Sequence, residues 1–406
     1  MRIACVGGGP AGLYLAILMK RRDPGHQVTV FERNPAGVTY GWGVVFWDDL
    51  LEGLRANDPP TAQAIAGEAF RWADQHILVD GRPAASLPGF GYSMRRQRLL
   101  DILTARALEL GVGVRFESEV EDPARLGRPD LVVACDGVNS RLRRRHPDGF
   151  GTRIDTGRNR YMWLGTTKVF DSFTFAFVRT EAGWIWCHAY GFDATASTFI
   201  VECSPDTWAG LGFGQLGLQE SIARLEELFA AQLDGHRLVT QGPDRERAPW
   251  LSFRTVTNER WRHGTLVLAG DAAHTTHFTI GSGTKLAIED AIGLAGALGT
   301  NDDLETALAA YERDRKASLL LLQREARNSA RWFETLPRYI DLGSDRFAAL
   351  LHQRRSQLLT RMSPSGYYRL RRTTEEFVLI DRLWHWASSR RREREVRRGS
   401  RTKRPA

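Results

Sequence analysis

Residues 2–33 read RIACVGGGPAGLYLAILMKRRDPGHQVTVFER, and this stretch decides the fold of the first part of the chain. An apolar run that predicts a strand is followed by a glycine-rich turn, an apolar helix and a second strand that ends in an acid. Gly7, Gly9 and Gly12 fill the three glycine positions of the dinucleotide-binding fingerprint, and Glu32 stands about twenty residues further on. The stretch therefore predicts a Rossmann-like α/β domain with a dinucleotide site.

Each glycine of this turn has its own physical reason. Gly7 permits the tight turn, Gly9 lets backbone N–H groups approach a pyrophosphate, and Gly12 allows the helix to pack closely on the strand. The positive end of the helix favours an exposed phosphate by about 0.3–1 kcal/mol. Glu32 can accept hydrogen bonds from the hydroxyls of an adenosine ribose. The predicted cofactor-binding residues of this segment are Gly7, Gly9, Pro10, Ala11, Gly12, Glu32 and Arg33.

Composition places the chain among ordinary globular proteins. It has 406 residues, of which 42% are hydrophobic and 26% charged, enough for two domains. Glycines interrupt the apolar N-terminus where a signal peptide would be continuous, and no window approaches the roughly 18 apolar residues of a membrane span. We therefore expect a cytoplasmic protein without a membrane partner.

Charge and cysteine usage narrow the choice of partners. The formal net charge of +8 is concentrated in the final run RRREREVRRGSRTKRPA, which is either a solvated tail or a surface that attracts a polyanion. No nucleic-acid-binding module accompanies it, so an acidic small molecule is the better prediction. The four cysteines lack CxxC spacing and predict buried thiols, and no third ligand stands at metal spacing from His274 and His277.

Two further motifs distinguish between the possible dinucleotides. Residues 130–144, DLVVACDGVNSRLRR, contain a strand followed by the DGxxSxxR pattern, and residues 265–274, TLVLAGDAAH, contain a strand that ends in Gly-Asp. With the glycine turn, these motifs resemble the single-component FAD-dependent aromatic hydroxylases, the group A flavoprotein monooxygenases similar to p-hydroxybenzoate hydroxylase. Residues 95–103, RRQRLLDIL, also fit the RxxLxxxL pattern of that family.

The resemblance implies FAD as cofactor, NADH or NADPH as co-substrate, and O2. It implies that Asp271 binds the ribityl chain, that Arg96 lies near the FAD phosphates, and that the DG segment contacts FAD and the nicotinamide cofactor. A carboxylate at the carboxyl end of a strand can accept a sugar hydroxyl without any analogy. The residues that this comparison adds to the predicted cofactor site are Arg96, Asp136, Gly137, Arg143, Gly270 and Asp271.

Residues 274–291, HTTHFTIGSGTKLAIEDA, follow the GD motif and predict a glycine-containing turn that leads into a helix. In the family, this helix points its N-terminus at the edge of the flavin where negative charge collects on reduction. The backbone amides around Gly281, Ser282, Gly283 and Thr284 can stabilise that charge. The family usually has a Met-Asn pair before the helix, whereas this chain has Thr284 and Lys285.

Four stretches resemble the salicylyl-CoA 5-hydroxylase and anthraniloyl-CoA monooxygenase branch: GWGVVFWDD (41–49), GRNRYMWLGTTKVFD (157–171), CHAYGFDATASTFIVEC (187–203) and RRSQLLTRMSPSGYYRL (354–370). This resemblance implies an aryl-CoA substrate, best matched by the conversion of salicylyl-CoA to gentisyl-CoA through a flavin hydroperoxide. The alternatives are hydroxylation of a free aromatic acid, tryptophan or indole in pigment or antibiotic biosynthesis, or a non-catalytic flavin-fold binding protein. The CoA-binding candidates are Trp42, Phe46, Arg354, Arg355, Arg361 and Arg369.

The base is not determined by the sequence. Alternation places His188 and Tyr190 on one face of a predicted strand, and His274 and His277 flank the glycine turn, so all four are catalytic candidates. We expect a Rossmann-like FAD-binding domain with an interleaved β-sheet substrate domain and C-terminal helices, in a monomer or homodimer. The predicted segments are FAD-binding 1–70, 95–155 and 259–330, substrate-covering 71–94 and 156–258, and C-terminal helices with the basic tail 331–406.

Overall fold

The computed structural model describes residues 1–240 and 250–354, and the described residues fall into two units, the second of which begins at Arg338. The strands are β1 (Arg2–Val6), β2 (Gln27–Phe31), β3 (Gly43–Phe46), β4 (Phe70–Val79), β5 (Arg82–Arg95), β6 (Gly113–Arg115), β7 (Leu131–Ala134), β8 (Thr152–Thr156), β9 (Arg160–Thr166), β10 (Phe173–Thr180), β11 (Gly183–Gly191), β12 (Ser197–Cys203), β13 (Leu238–Val239), β14 (Arg254–Asn258), β15 (Arg262–His263) and β16 (Leu266–Leu268). The helices are α1 (Pro10–Arg22), α2 (Asp48–Asn57), α3 (Pro59–Glu68), α4 (Arg96–Glu109), α5 (Arg141–Arg145), α6 (Pro147–Phe150), α7 (Pro205–Gly210), α8 (Leu218–Leu228), α9 (Ala230–Leu233), α10 (Gly283–Thr300), α11 (Leu304–Glu334) and α12 (Ser344–Gln353).

A six-stranded sheet with the order β15-β16-β7-β1-β2-β6 carries the dinucleotide fingerprint. All its pairs are parallel except β15 with β16, and helices α1, α4 and α10 pack beside it. Its central strands are almost continuously apolar because helices cover the sheet. The carboxyl ends of β1, β2, β7 and β16 meet at one edge, which brings the three predicted motifs together and confirms the predicted α/β fold.

An eight-stranded sheet with the order β13-β9-β12-β11-β10-β4-β5-β3 forms the second layer of the first unit. The strands predicted between residues 156 and 258 are present as β9 to β12. The hairpin β4–β5, which extends one residue beyond each end of the predicted 71–94 excursion, joins them through a parallel pair of β4 with β10. β3 also belongs to this sheet although it lies within the predicted 1–70 segment, because it pairs with the far end of β5.

The two faces of this sheet differ in chemistry. Alternate residues of β9 to β12 on one face, with helix α8, form an apolar core that includes Met162, Cys187 and Phe199. The opposite face carries Trp186, His188 and other aromatic and polar side chains. Strand alternation therefore separates a structural core from a face on which polar chemistry is possible.

The longest described helix is α11, which begins after an N-cap at Asp303 and packs against α10. The second unit is described as far as residue 354 and contains α12. Within residues 1–240 and 250–354, none of the helices has both the length and the apolar character that crossing a bilayer requires. All four cysteines are free thiols, and Cys5, Cys187 and Cys203 are buried.

Candidate functional site

The three fingerprint glycines after β1 differ in their surroundings, because Gly7 and Gly12 are closely packed and Gly9 is open. Gly7 has φ +115°, and a β-carbon built on it would lie 2.2 Å from the carbonyl oxygen of Cys135 on the neighbouring strand segment. A β-carbon on Gly12 would lie 2.2 Å from the carbonyl oxygen of Gly7. A β-carbon on Gly9 has no described heavy atom within 4 Å, apart from its chain neighbours. Only Gly9 therefore leaves room for a ligand beside the backbone.

Glu32 follows β2 and organises the loop at its end. Its Oε2 accepts a hydrogen bond from the Gly8 N–H at 2.7 Å, and its Oε1 accepts from the backbone and side-chain nitrogens of Asn34 at 2.9 and 2.8 Å. A carboxylate has about four lone-pair sites, so it can still accept further hydrogen bonds. The carboxylate thus joins the glycine turn to the second strand and keeps capacity for a ligand hydroxyl.

A cavity of about 540 Å³ lies at the edge where these strands end. It is open on one side and extends between the glycine turn, the segment after β2, helix α4 and the segment after β7. The predicted cofactor-binding residues that line it are Gly7, Gly9, Glu32, Arg33, Arg96, Asp136 and Gly137. Pro10, Ala11 and Gly12 are buried in the first turn of α1 behind this surface.

Arg96 begins α4 and faces this cavity. Its backbone N–H donates to the Trp42 carbonyl at 2.7 Å, and its Nε donates to the Thr39 hydroxyl at 3.3 Å. Burial lowers the pKa of Arg96, and the charge of Asp271 opposes that shift. A guanidinium remains protonated despite such a shift, so the cavity contains a fixed positive charge.

The DG segment is held by contacts within itself. Asp136 Oδ2 accepts from the Arg141 N–H at 2.7 Å, at the first turn of α5, and Gly137 adopts φ +81°. Ser140 caps the same helix by accepting from the Arg143 N–H at 3.0 Å. Asp136 and Gly137 line the cavity from this turn.

Arg143 does not line the cavity, although the resemblance implied a contact with the cofactor. Its side chain is 1% exposed, its Nη1 donates to the Ala272 carbonyl at 2.8 Å, and its Nη2 donates to the Val138 carbonyl at 2.6 Å. The planar guanidinium therefore ties the DG segment to the GD turn. Any influence of Arg143 on a cofactor would pass through the position of these two loops.

Asp271 differs from the other acids of the site. Its carboxylate is accessible to solvent, but the protein around it desolvates the charge enough to raise the pKa, an effect that Arg96 and His274 oppose. The preceding Gly270 has φ +61°, and a β-carbon there would lie 3.2 Å from Cβ of Ala11 on α1. The GD turn is thus fixed against the first helix while Asp271 remains available.

His274 lies in a buried network instead of facing the cavity. Its Nε2 contacts Asp290 Oδ2 at 2.8 Å, and its ring stacks on Trp261 with a centroid distance of 5.1 Å. Asp290 also accepts from the Gly270 N–H at 2.8 Å and from Arg315 Nε at 2.9 Å. Although burial alone would raise it, the pKa of Asp290 is lowered by His274 and Arg315. His274 therefore holds Asp290 within this network, and its catalytic role stays a prediction.

The glycine turn before α10 combines a packed and an open position. Gly281 has φ +65°, and a β-carbon there would lie 2.6 Å from Val45 and 2.8 Å from Trp47. Gly283 is exposed and open at the first position of α10, while the Ser282 hydroxyl is directed to Thr276 at 3.1 Å. The N–H groups of the first turn of α10 have no partner within the helix, so the positive end of the helix dipole lies at this turn.

The replacement of the family's usual Met-Asn pair by Thr284 and Lys285 has a structural explanation. Thr284 is half-buried in the first turn of α10, next to Lys285. The ammonium of Lys285 pairs with Asp49 at 2.8 Å and with Glu289 at 3.3 Å. A cation near a helix N-terminus opposes the helix dipole, so these carboxylates offset an unfavourable charge. The GWGVVFWDD stretch thus supports the turn through Val45, Trp47 and Asp49.

His188 and Tyr190 lie on the aromatic and polar face, as strand alternation predicted. Tyr190 is 4% exposed, and its hydroxyl donates to the Gly43 carbonyl at 2.9 Å. Burial raises the pKa of Tyr190, so its hydroxyl stays protonated at neutral pH. This contact makes Tyr190 a link between β11 and β3, and its catalytic role stays a prediction.

Sequence reasoning missed Glu202, a carboxylate that is 1% exposed on the same face. Its Oε1 accepts from Asn159 Nδ2 at 2.8 Å, and its Oε2 contacts Trp186 Nε1 and His188 Nε2, each at 3.2 Å. Burial alone would raise the pKa of Glu202, but the hydrogen bond from His188 and the nearby His277 lower it. The signal was present in STFIVEC, where one acid interrupts a fully buried strand.

His277 remains at the glycine turn with a half-buried ring. Its Nδ1 accepts from the Thr279 N–H at 3.5 Å and contacts the Thr279 hydroxyl at 3.0 Å. Burial lowers the pKa of His277 to about 4, while Glu202 opposes and His188 adds to the shift. The structure therefore separates the four candidates, since only His277 is both close to the turn and partly open.

The aromatic CoA-binding candidates are packed inside the protein. Trp42 stacks with Phe192 at 6.4 Å and also covers Gly165, where a β-carbon would lie 2.6 Å from the indole. Phe46 is 1% exposed and stacks with Tyr92 at 5.8 Å. These contacts give both side chains the role of holding β3 to the sheet.

The basic CoA-binding candidates lie mostly beyond the described part of the chain. Arg354 is 4% exposed, and its Nη1 donates to the Leu351 carbonyl at 2.7 Å at the end of α12. Arg355, Arg361 and Arg369 and the basic tail lie outside the described residues. A phosphate contact by Arg354 would require its guanidinium to leave a buried position.

Comparisons with known proteins agree with this geometry. A family model described as an FAD binding domain matches residues 1–324. The chain is 39% identical to salicyloyl-CoA 5-hydroxylase from Streptomyces sp over 95% of this chain and 74% of that protein. It is 38% identical to 3-hydroxy-4-methyl-anthranilyl-[aryl-carrier protein] 5-monooxygenase from Streptosporangium sibiricum over 83% of this chain and 90% of that protein. The crystal structure of p-nitrophenol 4-monooxygenase from Pseudomonas putida shares the fold, with a TM-score of 0.67, 18% identity and coverage of 88% and 94%.

Proposed function

Because the chain belongs to the FAD-binding family of flavin-dependent aromatic monooxygenases, we propose that it hydroxylates salicyloyl-CoA at C5 to give gentisyl-CoA. The observation that carries this proposal is the identity with a salicyloyl-CoA 5-hydroxylase over 95% of the chain. Identity of this extent includes both the cofactor edge of the six-stranded sheet and the polar face of the eight-stranded sheet. A substrate related to that of the relative is therefore the best-supported choice.

The residues at the strand edge fit FAD as the cofactor. We propose that the adenosine occupies the cavity beside Glu32 and Arg33, and that the pyrophosphate lies at Gly9 with Arg96 near it. The open surroundings of Gly9 and Gly283 support this assignment, because a β-carbon at either position would reduce the space in which the cofactor can approach the backbone. The accessible carboxylate of Asp271 suits the ribityl hydroxyls.

The ring end of the cofactor is assigned to the turn before α10. The open N–H groups around Gly283 and the dipole of this 18-residue helix favour the negative charge of the reduced ring. When bound, FAD supplies the redox chemistry by which NADH or NADPH and O2 deliver one oxygen atom to an aromatic ring. The protein's part is to bind and orient both partners and to exclude water.

Aromatic rings packed on the polar face of the eight-stranded sheet favour the exclusion of water. Phe278, which belongs to the turn before α10, contacts Tyr161 at 4.9 Å and His188 at 5.6 Å between ring centroids. Phe333 of α11 contacts His188 at 5.0 Å and Trp186 at 5.9 Å. These aromatic rings leave little room for water beside the turn, which favours transfer of oxygen to the substrate over loss of the reductant.

The test uses the full-length chain loaded with FAD. Salicyloyl-CoA, salicylate and tryptophan are incubated separately with NADH and with NADPH, while nicotinamide oxidation and the products are followed by chromatography and mass spectrometry. We expect salicyloyl-CoA alone to give a product heavier by one oxygen atom that co-elutes with gentisyl-CoA. Turnover of only a free acid or tryptophan would contradict the CoA assignment. Tight binding without product would indicate a binding protein.

A second candidate substrate is an aryl group held as a thioester on a carrier protein. The observation in its favour is the 38% identity to a monooxygenase named for an aryl-carrier-protein substrate, which the chain covers over 90% of its length. A CoA thioester and a carrier-protein thioester share the aryl thioester but differ in what lies beyond it. Salicyl groups loaded on CoA and on an isolated carrier domain are compared at equal concentration, and a higher kcat/KM on the carrier would favour the second candidate.

A further inference from the structure

The two nitrogens of His277 have different surroundings. The Thr279 N–H donates a hydrogen bond to Nδ1, and this contact caps the short 3-10 turn Phe278–Ile280. A backbone N–H can only donate, so this 3.5 Å contact favours the tautomer in which Nδ1 holds a lone pair and Nε2 carries the proton. The Thr279 hydroxyl lies 3.0 Å from Nδ1 and is able to donate to it in that tautomer. The fold thus favours the form of His277 with the proton on Nε2.

The Nε2 of His277 is available to a ligand. No described residue accepts a hydrogen bond from it, and it is not among the fully enclosed polar atoms. The ring is half-buried between Phe253, at a centroid distance of 4.7 Å, and Phe278, at 4.5 Å. The two phenyl rings fix the plane of the imidazole, so the direction of the Nε2–H bond is also fixed.

Burial keeps His277 neutral at physiological pH, and the charged groups beside it have opposing effects on its pKa. Burial lowers the pKa of His277 to about 4, the carboxylate of Glu202 opposes this shift, and His188 adds to it. Tyr161, whose ring contacts Phe278, has its pKa raised to about 12 by burial and Glu202 and is uncharged. Because protonation at Nδ1 would also break the cap, the neutral Nε2–H form is maintained above about pH 5.

We propose that the Nε2–H of His277 donates a hydrogen bond to the phenolic oxygen of the aromatic substrate and holds that oxygen as a phenolate. This inference rests on the proposed function for the class of substrate. The phenolic proton passes to water when the substrate binds, and the imidazole keeps its own proton throughout. A hydrogen bond to a charged oxygen is stronger than one to a neutral oxygen, so the donor favours the electron-rich form of the ring that an electrophilic oxygen attacks.

Two substitutions separate this donor from the structural cap. His277→Asn places an amide oxygen near the Nδ1 position, where Asn is a favourable N-cap, but lacks a donor at the Nε2 position. His277→Gln places an amide nitrogen near the Nε2 position and weakens the cap. A purely structural role would make Gln the more damaging change. The proposed role makes Asn the more damaging change for phenolate binding while it leaves stability close to wild type.

The readout is the protonation state of bound substrate without turnover. The FAD-loaded protein, without NADH or NADPH, is titrated with salicyloyl-CoA and with salicylate, and the phenolate absorbance is followed from pH 5 to pH 9 by difference spectroscopy. We expect the pKa of the bound phenol to be about 1–2 units higher in His277→Asn than in the wild type, the equivalent of losing one hydrogen bond to a charged group. Equal phenol pKa values in both proteins would overturn the inference.

Nuclear magnetic resonance of the imidazole nitrogens distinguishes this inference from the proposed function. We expect Nε2 to carry the proton at pH 7 and its resonance to shift when either phenol is added. A proton on Nδ1, or no shift with either probe, overturns the inference whatever products are formed. If salicylate shifts Nε2 while salicyloyl-CoA is not hydroxylated, the proposed substrate fails and the hydrogen-bond donor is supported.

Discussion

Alanine at two glycines of the first turn should separate the fold from cofactor binding. At Gly12 the added β-carbon would lie 2.2 Å from the Gly7 carbonyl oxygen, a backbone atom that cannot rotate away. At Gly9 the same β-carbon meets no described atom within 4 Å, and the backbone has φ −79° and ψ −179°, which any residue adopts. The two variants therefore differ in environment although the chemical change is identical.

The expected magnitudes follow from these contacts. For Gly12→Ala, overpacking costs up to about 3 kcal/mol, and the higher helix propensity of alanine returns about 1 kcal/mol. The net loss of unfolding free energy is then about 2 kcal/mol. For Gly9→Ala, the stability of the protein without FAD should change by less than about 0.5 kcal/mol. The methyl group instead obstructs a hydrogen bond to the pyrophosphate, worth about 1.5–3 kcal/mol, so FAD affinity should fall about tenfold to a hundredfold.

Both quantities can be measured on the same preparations. Urea unfolding followed by far-ultraviolet circular dichroism gives stability without FAD, and quenching of flavin fluorescence on titration gives the FAD dissociation constant. We expect Gly12→Ala to be the less stable variant and Gly9→Ala to be the weaker FAD binder at wild-type stability. A Gly9→Ala protein with unchanged FAD affinity would refute the assignment of the open glycine to the pyrophosphate.

Three further variants test separate parts of the site. Asp290→Asn leaves Arg315 without its buried carboxylate and should lower the free energy of unfolding in urea by about 3–5 kcal/mol at pH 7. Because the native pKa of Asp290 is lowered, the carboxylate stabilises the fold above pH ~4. The difference in stability between the variant and the wild type should therefore shrink as the pH falls below that value. Tyr190→Phe leaves the Gly43 carbonyl without its donor and should lose about 1–3 kcal/mol of stability, with the position of hydroxylation unchanged in product analysis. Asp271→Asn removes a carboxylate whose pKa is raised by desolvation, so thermal unfolding without FAD should occur at the wild-type temperature or above. FAD binding, measured by fluorescence titration, should weaken. A lower unfolding temperature would contradict this interpretation of Asp271.

The first turn could be predicted from sequence because its signal is local. Gly7, Gly9 and Gly12 lie within six residues, between a strand and the helix that follows it, although the close contact at Gly7 is with the carbonyl oxygen of the distant Cys135. The parallel arrangement then brings Asp136 and Asp271 to the same edge, since both follow strands that pair in register with their neighbours. Motifs at the ends of parallel strands are thus predictable as a group even when they are far apart in sequence.

Contacts between distant segments were not predictable in the same way. The contact of Arg143 with the Ala272 carbonyl joins residues 129 positions apart, and nothing local distinguishes a buried arginine from one that faces a ligand. The sheet to which β3 belongs was equally hard to predict, because β3 pairs with residues 92–95 of β5, far along the chain. Side-chain direction depends on packing that a single motif does not encode.

The segment HTTH shows how burial assigns different roles to similar residues. His274 reaches Asp290, which lies 16 residues further on within α10, whereas His277 contacts Thr279, two residues away. Two carboxylates of this region likewise diverge, because His274 and Arg315 lower the pKa of the paired Asp290 while desolvation raises that of Asp271. The buried Asp290 network therefore fixes the GD turn, whereas Asp271 is exposed and His277 is half-buried. This difference in exposure is the observation on which the proposed contacts of Asp271 with the cofactor and of His277 with the substrate rest.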